Sequence, residues 1–125
     1  EGEFVSFSDV ASNPTPTDGT IPIVVGGHSP AAARRAGRLG DGFFPGKGNI
    51  AELTDIVRQT AADAGRDPEA IEITFGHPGV LGDDPAAAFE ELADAGVSRT
   101  IVPSLVFHGN FAESLPEWGA KLGLG

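Results

Sequence analysis

The sequence predicts an α/β fold of four consecutive βα units, the content of half a (β/α)8 barrel. Three observations lead there. Short β-branched or aromatic runs alternate with longer stretches of helical periodicity. Strand-like runs begin near residues 21, 41, 71 and 100, a spacing of roughly 20–30 residues that fits one βα unit. Helix-capping residues and glycines fall at the joints between runs. Alternating βα units imply parallel strands. A small doubly wound sheet is the competing architecture. Near-uniform units and the lack of an extra edge strand favour half a barrel, since about 250 residues make eight units and this chain has 125. The expected organisation is one half-barrel, with a leader over residues 1–20 and four βα units over 21–125.

Residues 1–10, EGEFVSFSDV, alternate weakly and predict a short half-buried strand or hairpin arm. They begin without Met in what reads as mid-strand, as expected of a piece of a longer chain. ASNPTPTDGT, residues 11–20, is a loop rich in turn formers. Ile21–Val25 is β-branched and apolar, ends at Gly26-Gly27, and predicts a strand buried on both faces. Ser29 is placed to cap a helix with Pro30 at its first position. That helix runs to about Leu39 and stops at Gly40, with a small apolar side of Ala32, Ala36 and Leu39.

Asp41–Pro45 predicts the second strand. Asn49 caps the next helix, where Leu53, Ile56, Val57, Thr60, Ala61 and Ala64 recur at helical spacing and Gly65 closes the end. Ile71–Phe75 is the third strand. Asp84 and Pro85 open a third helix that carries Phe89 and Leu92 and ends near Gly96. The stretch Val97–Val106 holds the fourth strand. Ser114 and Glu117 form a capping box for a last helix through Leu122, with Pro116 in its first turn.

Composition narrows the function classes. The chain is 40% hydrophobic and 21% charged, within the globular range. No apolar run reaches the roughly 20 residues of a membrane span, and the opening has neither the basic nor the apolar region of a signal peptide. With no cysteine, disulfide, thiolate and zinc–cysteine chemistry are excluded, and a cytoplasmic setting is expected. A net charge of −10 argues against nucleic acid as a partner. The charge is uneven: residues 1–48 carry −1 and residues 49–125 carry −9. Arg34, Arg35 and Arg38 stand out in the near-neutral part, and a solvated helix face accounts for them.

The polar candidates gather just after the strands. Gly26, Gly27, His28 and Ser29 follow the first, Lys47 the second, His77 the third and His108 the fourth. All three histidines therefore fall in βα loops. Those loops line the ligand-binding end of a parallel barrel or open sheet. A three-histidine metal site is possible on numbers alone. No carboxylate or helical His-x-x-x-His pattern accompanies the histidines, so no metal is expected. No dinucleotide, P-loop or nucleophile-elbow motif occurs. The GGHSP junction reads either as an anion cradle or as a tight strand-to-helix turn. Two glycines permit close backbone approach, and a helix start offers free N–H groups.

PIVVGGHSPAAARRAGRLGDGFFP (Pro22–Pro45) resembles the luciferase-like monooxygenase superfamily, especially its branch that uses the deazaflavin coenzyme F420. Gly26, Gly27, Ser29, Arg34 or Arg35, Ala36, Gly40, Asp41, Gly42 and Phe43 carry the likeness. AGRDPEAIEIT (Ala64–Thr74), ADAGVSRTIVP (Ala93–Pro103) and the leader GEFVSFSDV extend it over nearly the whole chain. The resemblance implies the C-terminal half of a (β/α)8 TIM barrel, strands five to eight. It implies an oxidoreductase or monooxygenase that moves a hydride between F420, or alternatively FMN, and a small organic substrate. It places Gly26, Gly27, His28 and Ser29 at the cofactor, with His28, Lys47, His77 and His108 as rim candidates for substrate contact or proton transfer.

Half a barrel on its own is expected to be inactive. Its open edges and apolar face are expected to drive it into a homodimer or higher oligomer that closes the barrel. A non-catalytic half-barrel that binds a phosphorylated ligand, or only self-assembles, is the alternative.

Overall fold

The computed structural model describes residues 2–107 and 109–123. Four parallel strands, β1 (Val24–Gly26), β2 (Gly42–Phe44), β3 (Glu72–Phe75) and β4 (Arg99–Thr100), stand in the order β1-β2-β3-β4. Helices α1 (Pro30–Leu39), α2 (Ile50–Asp63), α3 (Pro85–Asp94) and α4 (Phe111–Lys121) alternate with them. A doubly wound sheet reverses its strand order at a switch point. This sheet does not, and the four units form the wall of half a (β/α)8 barrel.

Register divides the sheet into two faces. Val25 lies beside Phe43, and Phe43 beside Ile73. Side chains alternate along a strand, so these residues and Phe75 share one face. They form the core with Ala32, Ala36, Leu53, Val57 and Leu92 of the helices. The other face carries Val24, Phe44, Glu72, Thr74 and Arg99. There the Arg99 guanidinium pairs with the Glu72 carboxylate at 2.7 Å, and Thr74 Oγ1 donates to the same carboxylate at 3.3 Å.

Local chemistry sets the first helix. The Ser29 side chain accepts from the Ala32 amide at 3.2 Å, and Pro30 occupies the first position. At the other end, the Arg66 guanidinium donates to the carbonyls of Gly37 (2.8 Å) and Gly40 (2.7 Å). It thus caps carbonyls that a helix end leaves unpaired. Asp41 lies 3.9 Å from the same guanidinium, and its carboxylate accepts from the Ile23 amide at 2.8 Å. The Gly-Asp-Gly and Ala-Gly-Arg-Asp-Pro motifs therefore tie α1 to the entry of β1. Their role is structural.

Three expectations need correction. The leader forms no strand: residues 2–23 carry no strand assignment, and Phe4 and Phe7 are exposed. A short stretch with no neighbour to pair with has nothing to hold it extended. The first strand is shorter than Ile21–Val25 and is not buried on both faces, since Ile21, Ile23 and Val24 are exposed. It is the edge strand, and its inner face has no cover. Leu39 likewise faces solvent, while Ala33 and Gly37 take its place in the core.

The last helix starts at Phe111, so Ser114 and Pro116 lie inside it. Aromatic contacts set that start. Phe107 meets Phe111 at 5.9 Å and Trp118 at 6.0 Å, and Trp118 meets Phe89 at 6.2 Å. The Trp118 indole N–H also donates to the Val80 carbonyl at 2.9 Å. The helix is thereby held against the turn that follows β3. The fourth strand is only two residues long and passes into a 3-10 turn over Ser104–Phe107. Short 3-10 turns over Pro68–Ala70 and Pro78–Leu81 were not expected from the sequence.

Candidate functional site

The carboxyl ends of the strands carry two features, a glycine junction after β1 and a cavity over β2–β4. At the junction, Gly27 has φ +119°, a left-handed value that favours glycine. A Cβ added there would also meet the Ala32 Cβ at 2.9 Å. Gly27 is therefore needed for the turn itself. Gly26 differs: a Cβ there would meet nothing within 4 Å. Its open side faces the uncovered inner surface, beside Phe44 in the register.

Among the described residues, the loop and turn bonds include none donated by the amides of Gly27, His28, Ser29 or Ala31. The Ser29 hydroxyl accepts from Ala32 and keeps its own hydrogen to donate. Open backbone at Gly26, undonated amides and a helix start make a partly positive surface suited to an oxyanion. The residues present fit a phosphate group. Ser29 caps the helix as well, so its hydroxyl serves the turn and remains available to a ligand.

His28 and Lys47 are exposed on neighbouring loops. A Cβ on Gly48 would lie 3.8 Å from the His28 carbonyl, which brings the loop after β2 against the loop after β1. Among the described residues Lys47 makes no ion pair. His108 lies outside the described residues. Among the described residues, no three His, Asp or Glu side chains come together as a metal-binding group.

The cavity has a volume of about 380 Å³ and opens at the ends of β2, β3 and β4. Phe44, Pro45, Pro78, Leu81, Ile101 and Pro103 give it apolar walls, and among the described residues His77 is its one lining residue with a polar side chain. The His77 ring is fixed, because its Nδ1 accepts from the Gly79 amide at 3.0 Å. Sequence reasoning found His77 but not the apolar walls. Those come from three separate βα units, and no single motif carries them. The structure thus separates the rim candidates: His77 joins the cavity, while His28 and Lys47 belong to the exposed loops beside the glycine junction.

The luciferase-like monooxygenase family model matches residues 1–121. An uncharacterized protein of Mycobacterium tuberculosis is 36% identical over 104 residues, which are 81% of this chain and 34% of that protein. A phthiodiolone/phenolphthiodiolone dimycocerosates ketoreductase of a Mycobacterium species is 42% identical over 53 residues, 39% of this chain and 14% of that protein. Among solved structures, a coenzyme F420-dependent tetrahydromethanopterin reductase from Methanopyrus kandleri superposes with a TM-score of 0.50 at 19% identity. That match covers 100% of this chain and 41% of the reductase, and it supports the barrel fold. The chain spans about a third of the length of the curated relatives that match most of it. No helix among the described residues is long and apolar enough to cross a membrane.

Proposed function

The chain belongs to the luciferase-like monooxygenase family, an oxidoreductase family, and on that premise we propose that its β1–α1 junction holds the phosphate-bearing tail of coenzyme F420. FMN is the alternative cofactor. The parent activity in this reading is hydride transfer between that cofactor and a small organic substrate. The observation that carries the reading is the open backbone at Gly26, just before a helix start where, among the described residues, the amides of Gly27, His28, Ser29 and Ala31 donate none of the loop and turn bonds. In this reading the amides of Gly27 and His28 and the Ser29 hydroxyl bind phosphate oxygens. Lys47 lies close enough on the next loop to add positive charge. When bound, the deazaflavin or flavin supplies the hydride chemistry. The protein's part is to anchor the tail and so orient the ring toward the cavity beside it.

Gly26→Val is the clean test, because Gly26 has ordinary strand geometry and valine suits a strand. Fluorescence anisotropy with F420 is expected to show at least about tenfold weaker binding in the variant, a loss of about 1.4 kcal/mol, with an unchanged melting temperature. Equal affinity in the two proteins removes the cradle from the proposal. Binding of inorganic phosphate as tight as that of F420 supports instead a half-barrel that takes any phosphorylated ligand.

The uncovered inner face bears on assembly. Val24 is 55% exposed, Phe44 40% and Ile101 39%, and among the described residues β1 and β4 are each paired on one side only. Apolar surface and unpaired strand edges both favour association. We propose that the 125-residue chain on its own forms a homodimer or a larger oligomer through this face. Light scattering at micromolar concentration is the check, and a monodisperse monomer contradicts it.

A further inference from the structure

We infer that the cleft between α3 and β4 receives the free side of α1 from a second copy of this chain, with Leu39 entering the cleft and Arg35 pairing with Glu90. The inference rests on the proposed self-association and goes beyond it by naming the seam where two copies meet.

The two ends of the sheet differ, and they complement each other. At the β1 end, α1 packs on α2 through Gly37, where an added Cβ would lie 2.6 Å from the Val57 carbonyl oxygen. Arg35 and Leu39 stand two residues to either side of Gly37. At 3.6 residues per turn, two residues rotate the helix by about 200°, so both point away from α2. That side lies toward the edge strand β1. Leu39 is 67% exposed there. Arg35 is exposed and makes no ion pair among the described residues.

At the β4 end there is a recess. A cleft of about 410 Å³ lies between α3 and β4. Phe89, Leu92, Ala93 and Val97 give it an apolar lining, and Glu90 is its charged residue among those described. Leu92 and Val97 belong to the core, so the cleft is a place where the core reaches the surface. Glu90 is exposed and makes no ion pair among the described residues. α4 borders the cleft, with Trp118 against Phe89 at 6.2 Å.

Parallel strands bring the two surfaces to the same height. α1 ends at Leu39, just before β2, and α3 ends at Asp94, just before β4. Both helix ends therefore lie where the strands begin. When β1 of a second copy continues the parallel sheet beyond β4, the last turn of its α1 comes beside the last turns of α3. Arg35 is one turn back from Leu39, and Glu90 is one turn back from Asp94. Charge favours this pairing over others. α1 carries Arg34, Arg35 and Arg38 with no acidic residue, and α3 carries Glu90, Glu91 and Asp94 with no basic residue. Unlike ends attract, whereas α1 against α1, or α3 against α3, repels. A twofold dimer makes the seam twice and joins eight strands.

Sedimentation velocity on the 125-residue chain, with three variants, tests the seam. Leu39, Arg35 and Glu90 are exposed in the single chain, so the variants are expected to keep its melting temperature at concentrations where it is monomeric. Leu39→Ser is expected to weaken dimerisation at least tenfold, since an apolar side chain is lost from each of two seams. Arg35→Glu and Glu90→Arg are each expected to weaken it about tenfold at low salt, because each sets like charges at both seams. Mixed together, these two variants keep the native pair at one seam and reverse it at the other, so native mass spectrometry is expected to show a heterodimer near wild-type strength. Dimerisation unchanged in all three variants overturns the inference and leaves association through the inner face standing. A mixture no stronger than either charge variant alone overturns it too. A wild-type chain that stays monomeric overturns both the inference and the self-association on which it rests.

Discussion

Gly37→Ala is expected to lower the unfolding free energy by about 2–3 kcal/mol, the upper range for forcing an extra carbon into a packed core. The sign is the informative part. In a solvated helix interior the same change raises stability by about 1 kcal/mol, because alanine favours the helix more than glycine. Here the added Cβ would lie 2.6 Å from the Val57 carbonyl oxygen, 2.8 Å from the Thr60 Cβ and 3.1 Å from the Ala61 amide nitrogen. Two of these are backbone atoms of α2, held by helical hydrogen bonds, so no side-chain rotation relieves the clash. The helices must separate, and the buried contacts of Ala33, Ala36 and Val57 loosen with them. Urea unfolding with an unchanged m-value checks the prediction. A gain in stability would show that α1 and α2 do not cross at Gly37.

Arg66→Ala is expected to cost about 2–3 kcal/mol, and Arg66→Lys to recover less than half of it. The guanidinium spans two carbonyls at the end of α1, those of Gly37 and Gly40, and stands near Asp41. Hydrogen bonds from a charged donor are worth about 1.5–3 kcal/mol each. The side chain is 30% exposed, so water takes over part of the lost bonding and the sum stays below that of two full bonds. Lysine carries the charge but lacks the planar fork that reaches both oxygens. Thermal unfolding of both variants beside wild type tests this. Equal stability of the lysine variant and wild type would mean that charge alone caps the helix.

The elements that sequence reasoning placed well are those governed by adjacent residues. Ser29, Pro30 and Gly40 bound α1, Asn49 and Gly65 bound α2, and Asp84 with Pro85 opens α3. Each is a local hydrogen-bond or backbone preference, so it can be read directly from neighbouring letters. The misplacements have a different origin. The apolar run Ile21–Val25 signals a capacity for burial, not the presence of a covering partner, and the structure leaves much of it exposed. The Ser114–Glu117 pattern is a sound local cap, but the Phe107, Phe111 and Trp118 contacts start the helix earlier.

The site divides in the same way. Gly26, Gly27 and Ser29 sit together in sequence, and their junction was legible as a pair of alternatives. The structure gives the two glycines separate tasks, Gly27 for the turn and Gly26 for the open surface. The cavity was not legible, because Phe44, Leu81 and Ile101 meet only when three strands align in register. His77, read from the sequence as a residue of the loop after the third strand, was the one candidate that pointed toward it.

Amide shift mapping with F420 tests the central claim most directly, because it reports where the cofactor touches the chain as well as whether it binds. The account predicts the largest shifts at Gly26, Gly27, His28, Ser29 and Ala31, with smaller ones at Gly46–Gly48. Binding that leaves the junction amides unmoved, or no binding at all by a chain that remains folded, would contradict it.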